Sequence, residues 1–380
     1  MRVVVLGAGF GGLEIATRLS DEFGDELDLV LVDRSDHFVF GFSKLDVMFG
    51  RTTAGQVAHR YADIAKPGVR FLQSTIHAID PVAKRVTTDT EVLDADILVV
   101  ALGADLDPAA IPGLIEHGHE FYTTAGAFAL RDVLAQFPGG HVVVGVCSTP
   151  FKCPPAPSET VLLMHEQLED RDLLDQSHLS LVMPLPAPIP PSPEASAALL
   201  EEFDRLGIAW HPERLVRQVD GDRRVLVLAD GGEMPFDLFL AVPPHRVPDV
   251  VIEAGLAVDG WIPVDPLTMQ TSYDGVFAVG DVTSVGTPKA GVFAEGQGIV
   301  AAARIAALLR DAPPEETYDG RGICYLEFGH DAVAKVDVTF RAGDRPVGTM
   351  QGPSRELAED KTQFGSSRIR RWFGTEWETS

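Results

Sequence analysis

The chain has 380 residues, 45% of them hydrophobic and 23% charged, an ordinary globular composition that excludes a disordered or collagen-like protein. At roughly 150 residues per domain, this length predicts two or three domains. The 31 basic and 56 acidic residues give a net charge of −25, which repels phosphate backbones and disfavours nucleic-acid binding.

The first elements along the chain form one strand–helix–strand unit. Residues 2–6 (RVVVL) are a continuous apolar run, typical of a parallel strand that is buried on both faces. A glycine-rich turn at 7–12 leads into a helical stretch at 13–19, and a second apolar strand at 27–32 ends at Asp33. This order over about 30 residues predicts a βαβ nucleotide-binding unit.

The glycine spacing in this turn explains how a nucleotide would bind. Gly7 permits the tight turn, Gly9 lets a pyrophosphate approach the backbone, and Gly12 lets the helix pack on the strand. The helix N-terminus offers free N–H groups to phosphate, and a carboxylate at the position of Asp33 binds ribose hydroxyls. The residues that we expect to contact the nucleotide here are Gly7, Gly9, Phe10, Gly11, Gly12, Asp33 and Arg34.

A second unit with the same plan begins near residue 141. Residues 141–146 read as a buried strand, 158–169 as a helix and 179–185 as another strand. The apolar segments at 95–104 and 236–245 also resemble each other, which indicates two copies of one dinucleotide fold.

The second copy lacks the features that bind a dinucleotide. Its loop at 145–153 has no close-approach glycines, and its second strand runs into a proline-rich segment at 184–191 without a carboxylate. We therefore expect this unit to bind NADH poorly.

The last third of the chain completes the first unit and adds a small domain. A buried strand at 273–281 ends in Gly280-Asp281, and a long helix follows at 291–309. Ala312-Pro313-Pro314 marks a boundary, after which 322–328 and 332–340 read as strands. The predicted fold is α/β, with two Rossmann-like domains at 1–105 plus 265–311 and at 106–264, and a small α+β C-terminal domain at 312–380.

The sequence offers few routes to a membrane. We find no apolar run near the roughly 18 residues that a membrane span needs, and the chain opens with a strand instead of a signal peptide. We expect a cytoplasmic homo-oligomer. The basic and aromatic segment at 368–373, with Trp377, could contact an anionic bilayer, or it could pack on the protein's own core or a partner subunit.

Three segments together resemble the pyridine nucleotide–disulfide oxidoreductase superfamily. Residues 271–281 (TSYDGVFAVGD) resemble its second FAD fingerprint, and 95–103 resemble its apolar strand that ends in a glycine near the flavin. The resemblance implies bound FAD. No cysteine occurs at 38–46, where some relatives tether the flavin, so we expect the FAD to be non-covalent. The further flavin-site residues implied by the resemblance are Ala101, Gly103, Gly280, Asp281, Lys289 and Gly291.

Two of the three cysteines lie in segments that resemble a sulfide-oxidising group of this superfamily. Residues 152–157 (KCPPAP) are similar to a segment of the flavocytochrome c sulfide dehydrogenase flavoprotein and of sulfide:quinone oxidoreductases, and 322–325 resemble the segment of their second redox cysteine. The resemblance implies a redox pair of Cys153 and Cys324. From the residues alone, two separate buried thiols remain the alternative.

The surroundings of Cys153 suggest how it would react. A helix N-terminus after Pro154 and the neighbouring Lys152 would both lower the thiol pKa. Glu159 is a candidate proton carrier, although an ordinary helix-face glutamate is favoured. Lys289 likewise could be a solvated lysine at a helix start, and Cys147 is either a bystander or a sulfur shuttle.

The resemblance implies a reaction. Hydrosulfide attacks a Cys153–Cys324 bridge, two electrons reach FAD, and a quinone or cytochrome accepts them. One alternative is a type II NADH:quinone oxidoreductase, and another is a non-catalytic redox-sensing or electron-transfer flavoprotein. The eleven histidines show no metal-ligand spacing, so we expect no metal.

Overall fold

Ten helices accompany the sheets in the part of the chain that the structure describes. It is a computed structural model covering residues 1–313, 316–341 and 343–377. The helices are α1 (Phe10–Phe23), α2 (Ser43–Met48), α3 (Ala54–Val57), α4 (Leu114–His117), α5 (Thr124–Gln136), α6 (Ala156–Asp170), α7 (Pro193–Leu206), α8 (Asp249–Glu253), α9 (Gly291–Leu309) and α10 (Arg355–Phe373).

The first parallel sheet combines strands from both ends of the chain. Val3, Val4 and Val5 are fully buried, because helices cover one face of the sheet and other elements cover its second face. Helices α1 and α9 approach closely at Gly11 and Gly298, where a Cβ on Gly298 would lie 2.9 Å from the Gly11 carbonyl oxygen. The strand order is Val276–Ala278, Ile97–Val100, Arg2–Leu6, Asp28–Asp33 and Val69–Gln73.

The second parallel sheet repeats this plan in the middle of the chain. Its central strand pairs in parallel with a neighbour on each side, so that Val144 lies opposite Leu181 and Leu240. The strand order is His119–Glu120, Leu238–Val242, His141–Val146, His178–Val182 and Ala209–His211. The predicted α/β fold class with two Rossmann-like sheets is therefore confirmed.

Small antiparallel sheets connect the larger units. One is a three-stranded meander of Val216–Asp220, Val225–Leu228 and Glu233–Pro235. A matching meander consists of Ile76–Asp80, Arg85–Thr88 and Val92–Asp94. Two-stranded pairs join His37–Val39 to Ala58–Arg60 and Asp105–Leu106 to His245–Arg246.

The C-terminal unit is a three-stranded antiparallel sheet with α10. Its strands are Arg321–Gly329, Ala332–Thr339 and Val347–Ser354. The predicted boundary at Ala312-Pro313-Pro314 follows α9, and its Pro314 lies outside the described residues.

The basic and aromatic segment at the end of α10 packs on the protein itself. Trp372 is fully buried and Phe373 is 3% exposed, and the Trp372 indole N–H donates to the Glu14 carboxylate at 3.0 Å. Arg371 pairs with the same carboxylate, and Arg368 pairs with Glu295 at 2.7 Å. Of the alternatives for this segment, packing on the protein's own core holds for Trp372 and Phe373, which the core of the first sheet covers.

Helix α9 corrects another expectation about membranes. Its 19 residues are long and apolar enough to span a bilayer by length and composition alone. The helix packs on α1, and 61% of its most apolar 18-residue window is buried inside the protein, as in the core helix of a globular domain.

Candidate active site

The glycine turn before α1 has the shape that a pyrophosphate needs. Gly7 has a φ of +97°, and a Cβ there would lie 2.4 Å from the Ala101 carbonyl oxygen. A Cβ on Gly12 would lie 1.9 Å from the Gly7 carbonyl oxygen, whereas one on Gly9 would meet nothing within 4 Å. No side chain caps α1, so its first N–H groups are available to phosphate oxygens, and the loop fits a dinucleotide.

Asp33 is fixed beside this turn. Its carboxylate accepts hydrogen bonds at 2.8 Å from the backbone N–H groups of Ala8 and Ser35. The carboxylate therefore holds the second strand's end against the glycine loop, and its contact with ribose stays a prediction. Arg34 is exposed and pairs with Asp105 at 3.3 Å, a surface contact of small energetic value.

A cavity of about 300 Å³, the central cleft, lies between the two parallel sheets and the C-terminal strands. Most of the residues singled out in the sequence line it, although they come from five separate segments. Gly7, Gly12, Asp33 and Arg34 are outside this lining and shape or flank the loop. The predicted residues on the wall are Gly9, Phe10, Gly11, Ala101, Gly103, Cys153, Glu159, Gly280, Asp281, Lys289, Gly291 and Cys324.

The structure places Cys153 and Cys324 on the wall of this cleft, and both are free thiols. Cys153 has a φ of +44° and donates its backbone N–H to the Lys289 carbonyl oxygen at 2.6 Å. Cys324 lies in a C-terminal strand, opposite Val336 of the next strand. The third thiol, Cys147, is fully buried in a different apolar cluster behind the second sheet.

The expected lowering of the Cys153 pKa is wrong. Burial raises the pKa of Cys153 well above its usual range and that of Cys324 to about 12, and the carboxylate of Glu159 adds to both effects. Helix α6 begins at Ala156, after the cap residue Pro155, so Cys153 precedes it by a short turn. Lys152 donates its ammonium to the Ala104 carbonyl oxygen at 2.9 Å instead of pairing with the thiol.

Glu159 connects the cleft to a buried group of charges. It is 5% exposed, so the helix-face expectation is wrong, and it accepts the Glu327 backbone N–H at 3.1 Å. Burial raises the pKa of Glu159 to about 7, against the opposing charge of Lys361. Glu327 pairs with Lys361 and, at 2.6 Å, with Arg51, and the two cations hold its pKa at about 2 despite burial. A carboxyl group with a pKa near neutrality can carry a proton in either direction.

Three lysines give the cleft positive charge in an acidic protein. Lys289 is 7% exposed and donates to the carbonyl oxygens of Asp281 and Thr283 at 2.6 and 3.1 Å, with its ammonium 3.2 Å from the Trp261 ring centre. It is therefore not a solvated helix-start lysine, and burial lowers its pKa to about 8. Burial raises the pKa of Asp281, opposed by Lys152, Lys289 and Lys44.

Sequence reasoning missed several residues on the wall of the cleft. One of them is Lys44, which lies two residues after the segment Phe40-Gly41-Phe42. The nearby signal was an aromatic–glycine–aromatic run that ends two residues before a cation. The other missed wall residues include Tyr122, Ile323, Tyr325 and Phe364.

A second cavity of about 600 Å³, the apolar cavity, occupies the place of a dinucleotide loop in the second unit. The loop at 149–155 and the proline segment at 185–191 contribute much of its wall, and Cys324 and Lys289 line both cavities. Proline has no N–H group, so this wall has few backbone donors for a pyrophosphate. The strand His178–Val182 continues into Met183, without a carboxylate for a ribose.

The chain is similar in sequence to known oxidoreductases. The family model described as pyridine nucleotide-disulphide oxidoreductase matches residues 1–298. The mitochondrial sulfide:quinone oxidoreductase of Mus musculus is 24% identical over 355 residues, covering 90% of this chain and 78% of that protein. The type II NADH:quinone oxidoreductase of Staphylococcus saprophyticus is 29% identical over 121 residues, covering 31% of this chain and 30% of that protein.

A solved structure shares the fold over nearly the whole chain. The sulfide:quinone oxidoreductase of Aquifex aeolicus superimposes with a TM-score of 0.84 and 22% identity, covering 98% of this chain and 91% of that one. At this identity the likeness establishes the fold alone.

Proposed function

Because the chain belongs to the pyridine nucleotide-disulphide oxidoreductase family, we propose that it is an FAD enzyme that oxidises sulfide, or a related sulfur species, and passes the electrons to a quinone. The observation that carries this proposal is the position of the two thiols. Cys153 and Cys324, far apart in sequence, line the same cleft as the glycine loop and Asp281. Two thiols on the wall of one cleft can exchange with a sulfur substrate, which supports sulfur chemistry at this site.

The thiols would perform the sulfur chemistry. Hydrosulfide attacks one sulfur of a Cys153–Cys324 disulfide, a new S–S bond forms, and the old S–S bond breaks to release the other cysteine as a thiolate. Bound FAD supplies the two-electron acceptor for the pair. Over a full cycle, hydrosulfide yields one zero-valent sulfur atom, one proton and two electrons.

The charges of the cleft support this chemistry. Lys44, Lys152 and Lys289 attract an anionic substrate into a protein whose net charge is −25. Glu159, with its pKa near 7, can accept the proton that leaves hydrosulfide, because it stands on the same wall as both thiols.

The apolar cavity supports an uncharged partner in place of a nicotinamide nucleotide. Its proline-rich wall suits a quinone ring or a chain of zero-valent sulfur, both of which lack phosphate. We therefore propose a quinone as the acceptor, in preference to a cytochrome, which would need an exposed docking surface.

Assembly and location belong to the same proposal. We expect a cytoplasmic homo-oligomer that meets quinone at a membrane surface. Light scattering of the holoprotein and fractionation of cells test these two points.

The deciding experiment is an anaerobic titration of the holoprotein with sulfide or with NADH, monitored by the flavin absorbance. We expect sulfide to bleach the flavin and NADH to leave it oxidised. Cys153→Ser and Cys324→Ser should retain FAD and lose reduction by sulfide. Cys147→Ser is the matched control, because Cys147 lies in a separate apolar cluster and should leave the response unchanged.

The outcomes separate the three candidate functions. Bleaching by NADH alone would indicate the type II NADH:quinone oxidoreductase. Bleaching by neither compound would indicate a redox-sensing or electron-transfer flavoprotein. Full reduction by sulfide in either serine variant would refute the thiol mechanism.

A further inference from the structure

Lys44 places a cation beside Cys153 from a distant part of the chain. It lies in α2 and lines the central cleft together with the thiol. Its ammonium donates to the Tyr122 carbonyl oxygen at 2.5 Å, and the Tyr122 hydroxyl donates to the Cys153 carbonyl oxygen at 3.4 Å. Tyr122 therefore connects Lys44 to the backbone of Cys153 through two hydrogen bonds.

Two neighbouring side chains disfavour a thiolate at Cys153, whereas the backbone N–H of Ala156 favours it. The carboxylate of Glu159 and the sulfur of Cys324 both oppose a negative charge on it. Lys152, its neighbour in sequence, directs its ammonium to the Ala104 carbonyl oxygen. The positive charge of Lys44 acts in the opposite direction and lowers the pKa of the Cys153 thiol.

We propose that Lys44 is the cation that stabilises the Cys153 thiolate, and that it does so in place of Lys152. The inference rests on the proposed function, in which this thiolate is released when the disulfide opens. Attraction between opposite charges is strong in a cleft from which water is partly excluded. Lys44 is thus a positioning residue that acts through the sulfur of Cys153.

Lys44 carries its charge at neutral pH. Burial and the charge of Lys152 lower its pKa to about 8, while Glu120, Cys153 and Asp281 oppose that change. Glu120 is itself held by the backbone N–H groups of Tyr122 and Thr123 at 2.7 and 2.9 Å.

The test measures how fast iodoacetamide alkylates Cys153 in the phosphine-reduced holoprotein, followed by mass spectrometry of the Cys153 peptide across a range of pH. One pKa unit changes the thiolate fraction about tenfold. We expect Lys44→Met and Lys44→Gln to be alkylated about tenfold more slowly at neutral pH. Lys44→Arg should stay within about twofold of the wild type, because it keeps the charge.

The controls separate charge from shape. Lys152→Met removes the neighbouring cation and should have the smaller effect. A wild-type rate of Cys153 alkylation in Lys44→Gln would overturn the proposal. So would a rate in Lys152→Met as low as that in Lys44→Met, or a rate in Lys44→Arg as low as that in Lys44→Gln. FAD content is measured in each variant to verify folding. Since alkylation requires no sulfide, failure here is distinguishable from failure of the sulfide reaction.

Discussion

Replacing Glu159 by Gln removes a buried ionisable group and keeps its shape and its acceptor for the Glu327 N–H. The folded-state pKa of about 7 exceeds the ordinary 4.5. The folded protein therefore binds more protons than the unfolded chain between these values, and the resulting stability is lost as pH rises through 7. At about 1.36 kcal/mol per pH unit, this window amounts to about 3 kcal/mol. The side chain of Gln at this position does not titrate, so the variant does not lose this stability as pH rises.

The effect is measurable by calorimetry at two pH values. With about 2.1 cal/mol/K per residue, 380 residues give an unfolding entropy of about 0.8 kcal/mol/K, so 3 kcal/mol corresponds to about 4 °C in Tm. Because pH 5 already lies above the unfolded-state pKa of 4.5, the change between pH 5 and pH 8 is about 2.5 kcal/mol. We therefore expect the Tm of Glu159→Gln, relative to wild type, to be about 3 °C higher at pH 8 than at pH 5, with salt held constant. A difference that does not change with pH, or that changes in the opposite direction, would refute the assignment of a raised pKa to this carboxyl group.

The remaining predictions concern the glycine loop and the buried charges. Gly9→Ala should leave the Tm of the apoprotein unchanged and weaken FAD binding at least tenfold. Gly12→Ala should also destabilise the fold, because its Cβ would lie 1.9 Å from a carbonyl oxygen. Equal Tm values for the two apoprotein variants would contradict this prediction. Lys361→Met removes one partner of the buried Glu327 carboxylate. We expect the free energy of unfolding to fall by about 3–5 kcal/mol, measured by urea titration at pH 7. Because the Glu327 pKa is about 2, the stability from this pair should be lost as pH falls from 4.5 towards 2, and a variant with wild-type acid sensitivity would argue against it.

The elements with strong local signals were predicted well. The apolar run at 2–6 and the glycine turn predicted the first strand and α1. Helix α9 has the predicted bounds of 291–309. These segments carry their own signal because a buried parallel strand is apolar on both faces and a glycine turn has a fixed spacing. Helix α1 is longer than predicted, from Phe10 to Phe23, because its first turn includes the glycines.

The candidate site was predicted less completely, because tertiary contacts determine its electrostatics. The sequence shows Lys152 beside Cys153 but cannot show that its ammonium contacts the Ala104 carbonyl oxygen instead. It shows basic and aromatic residues at the C-terminus but not the aromatic cluster that buries Trp372. Lys44 could not be assigned, because α2 reaches the cleft only in the folded chain.

The two cavities differ in polarity, and this difference bears on the role of each cysteine in the proposed reaction. Cys324 lines both the central cleft and the apolar cavity, whereas Cys153 lines the central cleft together with Lys44 and Glu159. An uncharged sulfur chain is most soluble in the apolar cavity, and an anion is most stable beside the cleft lysines. Under the proposed function, this arrangement favours Cys324 as the thiol that carries zero-valent sulfur and Cys153 as the thiol that becomes the thiolate. Under the same proposal, the proline and apolar side chains on the wall of the second unit would accommodate the sulfur chain that Cys324 carries.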